Sequence, residues 1–181
     1  MGSWNKNFHM KKFILATAIV FTTAGAFAQE TTEITSKNSW LKAGLSLGVP
    51  VGDVSDSHSF VAGLDLKGQL MSTPHLGIGL TTGYNHFFAK DNFESFGTIP
   101  LGAFIRVYPK AKGFFAGTDI GYSFLTNAND ADGGFYVKPQ IGYHNYAWNV
   151  FGYYNGILRG DNAGGNIQHV GIGATYNIRF N

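Results

Sequence analysis

The sequence predicts an all-β fold: an eight-stranded antiparallel up-and-down transmembrane β-barrel, with short periplasmic turns at one end and longer extracellular loops at the other. Three observations carry this. Apolar residues alternate with glycine or polar residues in eight separate segments, the two-residue period of a strand with two unlike faces. Charges within those segments share the glycine-bearing face and avoid the apolar one. Short connections alternate with long ones, as an even-stranded barrel with both termini on one side requires. Only a closed sheet carries strands across a bilayer, because an open edge leaves backbone groups unsatisfied in hydrocarbon.

Each segment shows the alternation in turn. In the first, residues 40–49, Leu41, Ala43, Leu45 and Leu47 point out while Lys42, Gly44, Ser46 and Gly48 point in. In the second, 60–70, Phe60, Ala62, Leu64 and Leu66 oppose Val61, Gly63, Asp65 and Lys67. The third, 76–85, sets Leu76, Ile78, Leu80 and Tyr84 against Gly77, Gly79, Thr81 and Gly83. The fourth, 98–108, sets Ile99, Leu101, Ala103, Ile105 and Val107 against Gly102, Phe104 and Arg106. The fifth, 114–124, puts Ala116, Thr118, Ile120 and Tyr122 outside and Gly117, Asp119, Gly121 and Ser123 inside. In the sixth, 135–144, Val137, Ile141 and Tyr143 oppose Lys138, Gln140 and Gly142. The seventh, 148–155, is the least regular, with Trp148, Val150 and Tyr154 outward and Asn149, Phe151 and Tyr153 inward. The eighth, 170–180, alternates throughout, with Val170, Ile172, Ala174, Tyr176, Ile178 and Phe180 on its apolar face. Turns fall at 71–75, 109–113 and 145–147, and loops at 50–59, 86–97, 125–134 and 156–168.

Composition agrees. Charged residues make up 13% of the chain, against about 25% in soluble domains, yet mean hydropathy is only −0.03. That balance suits a barrel that is apolar outside and polar inside. Twenty-five glycines fit a narrow interior that must leave room for Phe104, Phe115, Tyr136, Phe151 and Tyr153. With no cysteine, disulfides and thiolate metal sites are excluded.

The N-terminus reads as a signal peptide over residues 1–28. Met10-Lys11-Lys12 is a basic start, residues 13–25 form an apolar run, and Ala26-Phe27-Ala28 is a small-x-small cleavage site. The run is shorter than the ~20 residues of a spanning helix. Residues 1–9 lie upstream of the signal pattern, with Met10 a candidate start, and residues 29–39 form a polar periplasmic lead-in to the barrel at 40–181. Lys6, Lys11 and Lys12 hold three of the 13 basic residues and none of the 11 acidic ones. The mature chain therefore carries one net negative charge, and the pI near 8.8 belongs to the precursor. No basic stripe points to nucleic acid.

Lipid outside, rather than water as in a soluble lipocalin-like barrel, follows from where charges and aromatics fall. Lys42, Asp65, Lys67, Arg106, Asp119, Lys138 and Arg179 all lie on the inward face as a lumen polar network. A basic residue facing the bilayer midplane would cost ~2–4 kcal/mol. Outward aromatics gather near strand ends: Phe60, Tyr84, Tyr122, Phe124, Phe135 and Tyr154 at the loop end, and Phe114, Tyr143, Trp148 and Phe180 at the turn end. Two girdles around an aliphatic band match two membrane interfaces. Pro139 and Pro100 resist the pattern, since proline cannot donate to a ladder; a bulge or a missing ladder bond is expected at each.

These features, with the segment Gly-Phe-Tyr-Val-Lys-Pro-Gln-Ile-Gly-Tyr at 134–143 and the terminal Gly-Ala-Thr-Tyr-Asn-Ile-Arg-Phe at 173–180, resemble the small outer-membrane β-barrel family of the OmpX and OmpA-barrel type. The resemblance implies export to a Gram-negative outer membrane, a porin-like architecture, a monomer, and a last strand whose Tyr176, Ile178 and Phe180 are read by the barrel assembly machinery. Asn181 after Phe180 departs from that terminal pattern by one residue.

The sequence names no reaction. Ser46, Ser123, His144, His169, Asp65 and Asp119 can all face inward, but no pair forms a nucleophile–base motif. His144-Asn145-Tyr146 is only loosely similar to the His-x-Ser of lipid A deacylases and lacks the serine. Arg106 and Asp119 flank one turn and are expected to pair, since unpaired charge is costly inside. The oxygen-rich run Asn127, Asn129, Asp130, Asp132 and Gly133 lacks the first and last ligands of an EF-hand loop. His58, His75 and His86 stand apart in sequence. No cofactor or metal is expected. The reading is a non-enzymatic outer-membrane barrel with an envelope-structural role, or one that meets surface partners through loops bearing Asp53, Asp56, Asp91, Glu94, Asp130, Asp132 and Asp161. The rivals are a lipid A-modifying enzyme, a narrow pore and a soluble lipocalin-like binding barrel.

Overall fold

The computed structural model describes residues 35, 40–127, 133–160 and 165–178. The signal segment, Asp130, Asp132, Asp161, Arg179 and Phe180 lie outside the described residues, as does the lead-in apart from Thr35. The chain folds into eight antiparallel strands: β1 (Leu41–Val51), β2 (His58–Thr73), β3 (Leu76–Ala89), β4 (Phe96–Val107), β5 (Gly113–Thr126), β6 (Gly134–His144), β7 (Trp148–Leu158) and β8 (Ile167–Ile178). Each pairs with its neighbours in sequence, and β1 pairs with β8 to close the barrel. Closure leaves no edge to protect.

The alternation read from sequence sets which side chains turn inward. In β1, Lys42 and Ser46 are buried while Leu45, Leu47 and Val49 are exposed; the same holds for Asp65, Lys67 and Gln69 against Leu64, Leu66 and Leu70 in β2. Strands run longer than the apolar pattern suggests. β2 begins at His58 and β3 ends at Ala89, so much of the expected loop 86–97 is paired strand, with His58 opposite Ala89. The alternating apolarity fades toward the loop end, whereas the ladder continues past it, joined there by ring contacts such as Phe87 on Phe96 at 4.6 Å. Two loop-end connections enter through Asn92 (φ 73°) and Asn127 (φ 59°), asparagine being a side chain that tolerates the left-handed region.

The prolines interrupt pairing without shifting register. Pro139 pairs across to Thr118 of β5, but on the β7 side the ladder skips from Val137–Gly156 to Gln140–Tyr153. Pro100 pairs with Ser123 of β5, and on the β3 side pairing skips from Thr82–Leu101 to Asn85–Thr98. Each proline thus leaves a gap in the ladder on one side. The register shifts of the β2–β3 pair lie at the two ends of β2, between His58 and Phe60 and between Met71 and Thr73.

Candidate functional site

Glycine makes the interior usable. Gly102 and Gly121 sit opposite each other on β4 and β5, and a Cβ on Gly102 would come within 2.7 Å of the Tyr136 hydroxyl. The space saved there takes a tyrosine from β6. Around it lie six of the seven sequence-selected lumen charges: Lys42, Asp65, Lys67, Arg106, Asp119 and Lys138 are all buried.

They form two ion pairs and a bridge. Lys138 Nζ contacts Asp65 Oδ1 at 2.7 Å, and Lys67 pairs with Asp119. Gln140 Nε2 donates to Asp119 Oδ1 at 2.7 Å while its Oε1 accepts from Arg106 Nη2 at 2.6 Å. Arg106 and Asp119 therefore do not pair directly. Asp119 registers with Phe104, and Arg106 with Gly117, so the two charges are offset along the barrel and Gln140 spans the gap. Arg106 instead lies over the rings of Phe115 at 4.7 Å, Phe151 at 5.5 Å and Phe104 at 5.7 Å. Lys138 lies over Tyr153 at 4.4 Å. Lys42 donates to Asn177 Oδ1 at 2.7 Å, an oxygen shared with Asn149 Nδ2 at 2.8 Å.

Apolar clusters flank this network toward both ends. Tyr108, Phe115, Phe151 and Tyr153 pack as one buried cluster, with the Tyr108 hydroxyl donating to Gln69 Oε1 at 2.7 Å. Val54, Val61, Phe87, Tyr136, Ile157 and Ile167 form another below the loops. His144 packs on Tyr108 at 4.7 Å, and His169 lies edge-on to Phe87 at 5.2 Å and Tyr153 at 5.5 Å. Ser46 and Ser123 are buried too, yet among the described residues no serine or carboxylate hydrogen-bonds either histidine. Of the inward candidates, Asp65 and Asp119 are held in ion pairs, and His144 and His169 lie against aromatic rings. No group of three or more His, Asp or Glu side chains gathers to hold a metal among the described residues.

The outer face is apolar and exposed, with Leu80 at 71%, Ile141 at 66% and Phe114 at 73%. Register draws the aromatics into rows. Phe135, Tyr122 and Leu101 are cross-strand neighbours at the loop end, and Phe60 stacks on Phe88 with centroids 4.1 Å apart. Tyr84 Oη meets His86 Nδ1 at 3.2 Å, Tyr122 packs on Phe124 at 5.0 Å, and Tyr154 is exposed nearby on β7. At the turn end, Phe114 faces Tyr143 edge-on at 5.9 Å and Trp148 meets Tyr176 at 5.1 Å. Ile178 ends β8 half-buried. The row Tyr84, His86, Phe88 was invisible in the sequence because His86 breaks the apolar alternation.

The loop end carries a built mouth. A single 3-10 turn, Gly52–Ser55, tucks Val54 inward. This connection is clasped to the β3–β4 one: Lys90 Nζ donates to the Ser55 carbonyl at 2.7 Å, the Lys90 amide to the Ser57 carbonyl at 2.9 Å, and His58 Nε2 meets the Glu94 carbonyl at 3.2 Å. Ser57 Oγ lies 2.8 Å from His58 Nδ1, so one ring tautomer serves both contacts, with Nε2–H donating to Glu94. Burial lowers His58 below its usual value of 6.5, against the opposing pull of the Glu94 and Val54 carbonyls. Beside this clasp opens a cavity of about 250 Å³ lined by Asp53, Val54, Ser57, His58, Phe96, Leu125, Arg159 and Ile167. Asp56, Asp91 and Glu94 are exposed outside it.

No protein-family model matches the chain, and no curated protein matches it.

Proposed function

We propose that the chain is an integral outer-membrane barrel, sealed to solutes, which acts as an envelope-structural scaffold and presents its loops at the cell surface. One observation carries this: exposed aliphatic side chains lie between rows of aromatics on the outside, while the strand charges are buried within. Soluble monomers rarely expose contiguous apolar surface beyond a few hundred Å², whereas lipid rewards such a belt. A lipocalin-like barrel would keep its interior open and apolar for a ligand; here that space holds ion pairs and packed rings. The signal pattern at residues 10–28 supplies export, and the outward Tyr176 and Ile178 with Phe180 supply the strand offered to the assembly machinery.

Envelope fractionation with boiled and unboiled detergent gels tests this. The protein is expected in the outer membrane, with a mobility that changes on boiling. Release with soluble periplasmic proteins would overturn the membrane reading. In planar bilayers the folded barrel is expected to stay silent; large, stable conductance steps would overturn the seal.

A further inference from the structure

The mouth cavity has the chemistry of a ligand site. Its inner wall is apolar, formed by Val54, Phe96, Leu125 and Ile167. Ser57 and His58 are occupied with each other and with Glu94, so they make wall rather than contact points. Asp53 and Arg159 remain. The Asp53 carboxylate has no hydrogen bond or ion pair to any described residue, and it does not pair with Arg159. Arg159 spends its Nε on the Gly165 carbonyl at 2.8 Å and its backbone amide on Asn166 Oδ1 at 3.1 Å, which anchors the guanidinium, and its terminal nitrogens have no partner among the described residues. Gly165 is the spacer between the two charges. It sits at φ +87°, and a Cβ there would lie 2.7 Å from Asp53 Oδ2. Partial burial lowers Arg159 from its usual value.

We propose that this cavity binds a free amino acid with an apolar side chain. Asp53 receives the ammonium, Arg159 the carboxylate, and the apolar wall the side chain. The opposite charges stand either side of one glycine, which suits a ligand carrying both groups on one carbon. A peptide end offers only one of the two charges, and a bare ion leaves the apolar wall wetted. About 250 Å³ is below the ~300–1,000 Å³ that drug-sized molecules fill, which limits the ligand to this size class. Barrel mouths are recurrent places for such sites. The inference does not depend on the membrane reading, since the cavity belongs to the barrel in any solvent.

The test is calorimetric titration of the full-length folded barrel, its fold checked by circular dichroism, with L-leucine, leucinamide, 4-methylpentanoate and glycine. Leucine is expected to saturate, and each analogue to bind at least about tenfold more weakly, the share of one charge-assisted contact or of the side chain. Asp53→Asn should reduce leucine to the level of 4-methylpentanoate and leave that acid unchanged. Arg159→Gln should reduce leucine to the level of leucinamide. No saturable heat with leucine up to ~10 mM, an analogue that binds as tightly as leucine, or a variant without effect would each overturn the proposal. The ligand series decides the matter on the unmodified protein should a variant fail to fold.

Discussion

The lumen pair Lys67–Asp119 makes the most demanding prediction. Both side chains are buried, and Asp119 also accepts from Gln140. The other lumen carboxylate near it, Asp65, is already held by Lys138 at 2.7 Å. Asp119→Ala therefore removes the direct partner of Lys67 and leaves the ammonium beside the Phe104 ring, 5.2 Å from its centroid, with only the second oxygen of Asp65, whose Oδ1 already serves Lys138, as a carboxylate to turn to. Breaking a buried pair in this way costs about 3–5 kcal/mol. Lys67→Ala should cost less, about 1.5–3 kcal/mol, because Gln140 still serves the carboxylate and Arg106 stands behind it. The double variant Lys67→Met with Asp119→Leu should return to within about 1–2 kcal/mol of the parent, since apolar groups of similar volume often replace buried pairs at little cost. Urea unfolding in lipid vesicles, followed by the gel mobility of the folded form, reads all three values. A loss below about 1 kcal/mol for Asp119→Ala would mean that the lumen is wet and the pair is screened, and the sealed plug would fall with it.

Three further perturbations test other parts of the barrel. Leu80 is the most exposed aliphatic residue of its strand and pairs with Ala103 in mid-barrel, so Leu80→Arg should cost ~2–4 kcal/mol in a bilayer; an unchanged urea midpoint would count against lipid on that face. His58 lies beyond Phe60, outside the apolar band, and its folded value is lowered from 6.5 by burial. Between that lowered value and about pH 6.5 the unfolded chain binds more protons, so its contribution to stability is complete above the window and declines as pH falls through it. Urea midpoints at pH 7.5 and 5 should differ more for the parent than for His58→Gln, and equal slopes would show that the clasp does not resist protonation. Pro139 would sit opposite Tyr154 by the surrounding register; Pro139→Val restores an N–H there and should stabilise by about 0.5–1.5 kcal/mol, whereas a destabilised variant would show that the gap has another cause.

The faces of every strand were legible because a membrane-like pattern is redundant: each strand repeats the same contrast many times, and one-residue slips would bury leucines and expose lysines. What lay outside that redundancy was hidden. Gln140 reads as an ordinary inward polar residue and Gln69 drew no reading at all, yet they connect Arg106 to Asp119 and receive Tyr108. Their roles depend on how far neighbouring strands are offset, which no single segment encodes. The clasp at the mouth joins Ser55 and Ser57 to Lys90, and His58 to Glu94, across connections that sequence treats as separate polar loops. The cavity is less legible still, since Asp53, Phe96, Leu125 and Arg159 come from four different places in the chain.

The mouth and the plug share residues, and that limits what the barrel can do. Val54 and Ile167 line the cavity and also belong to the apolar cluster that includes Phe87 and Tyr136. The floor of the cavity is thus the roof of the seal. A molecule that enters the mouth meets packed rings before it reaches the charged layer, and beyond that layer Tyr108, Phe115 and Phe151 pack together. Moving a solute through would require opening two apolar clusters and stripping partners from Lys67, Arg106 and Lys138 at once. Each stripped charge costs several kcal/mol in a dry interior, a barrier that sets binding at the mouth apart from passage through the wall. The packed interior is in keeping with the proposed scaffold, and recognition would fall to the rim, where the exposed Asp53 lies across the cavity lining from Arg159, whose Nε is held by the Gly165 carbonyl.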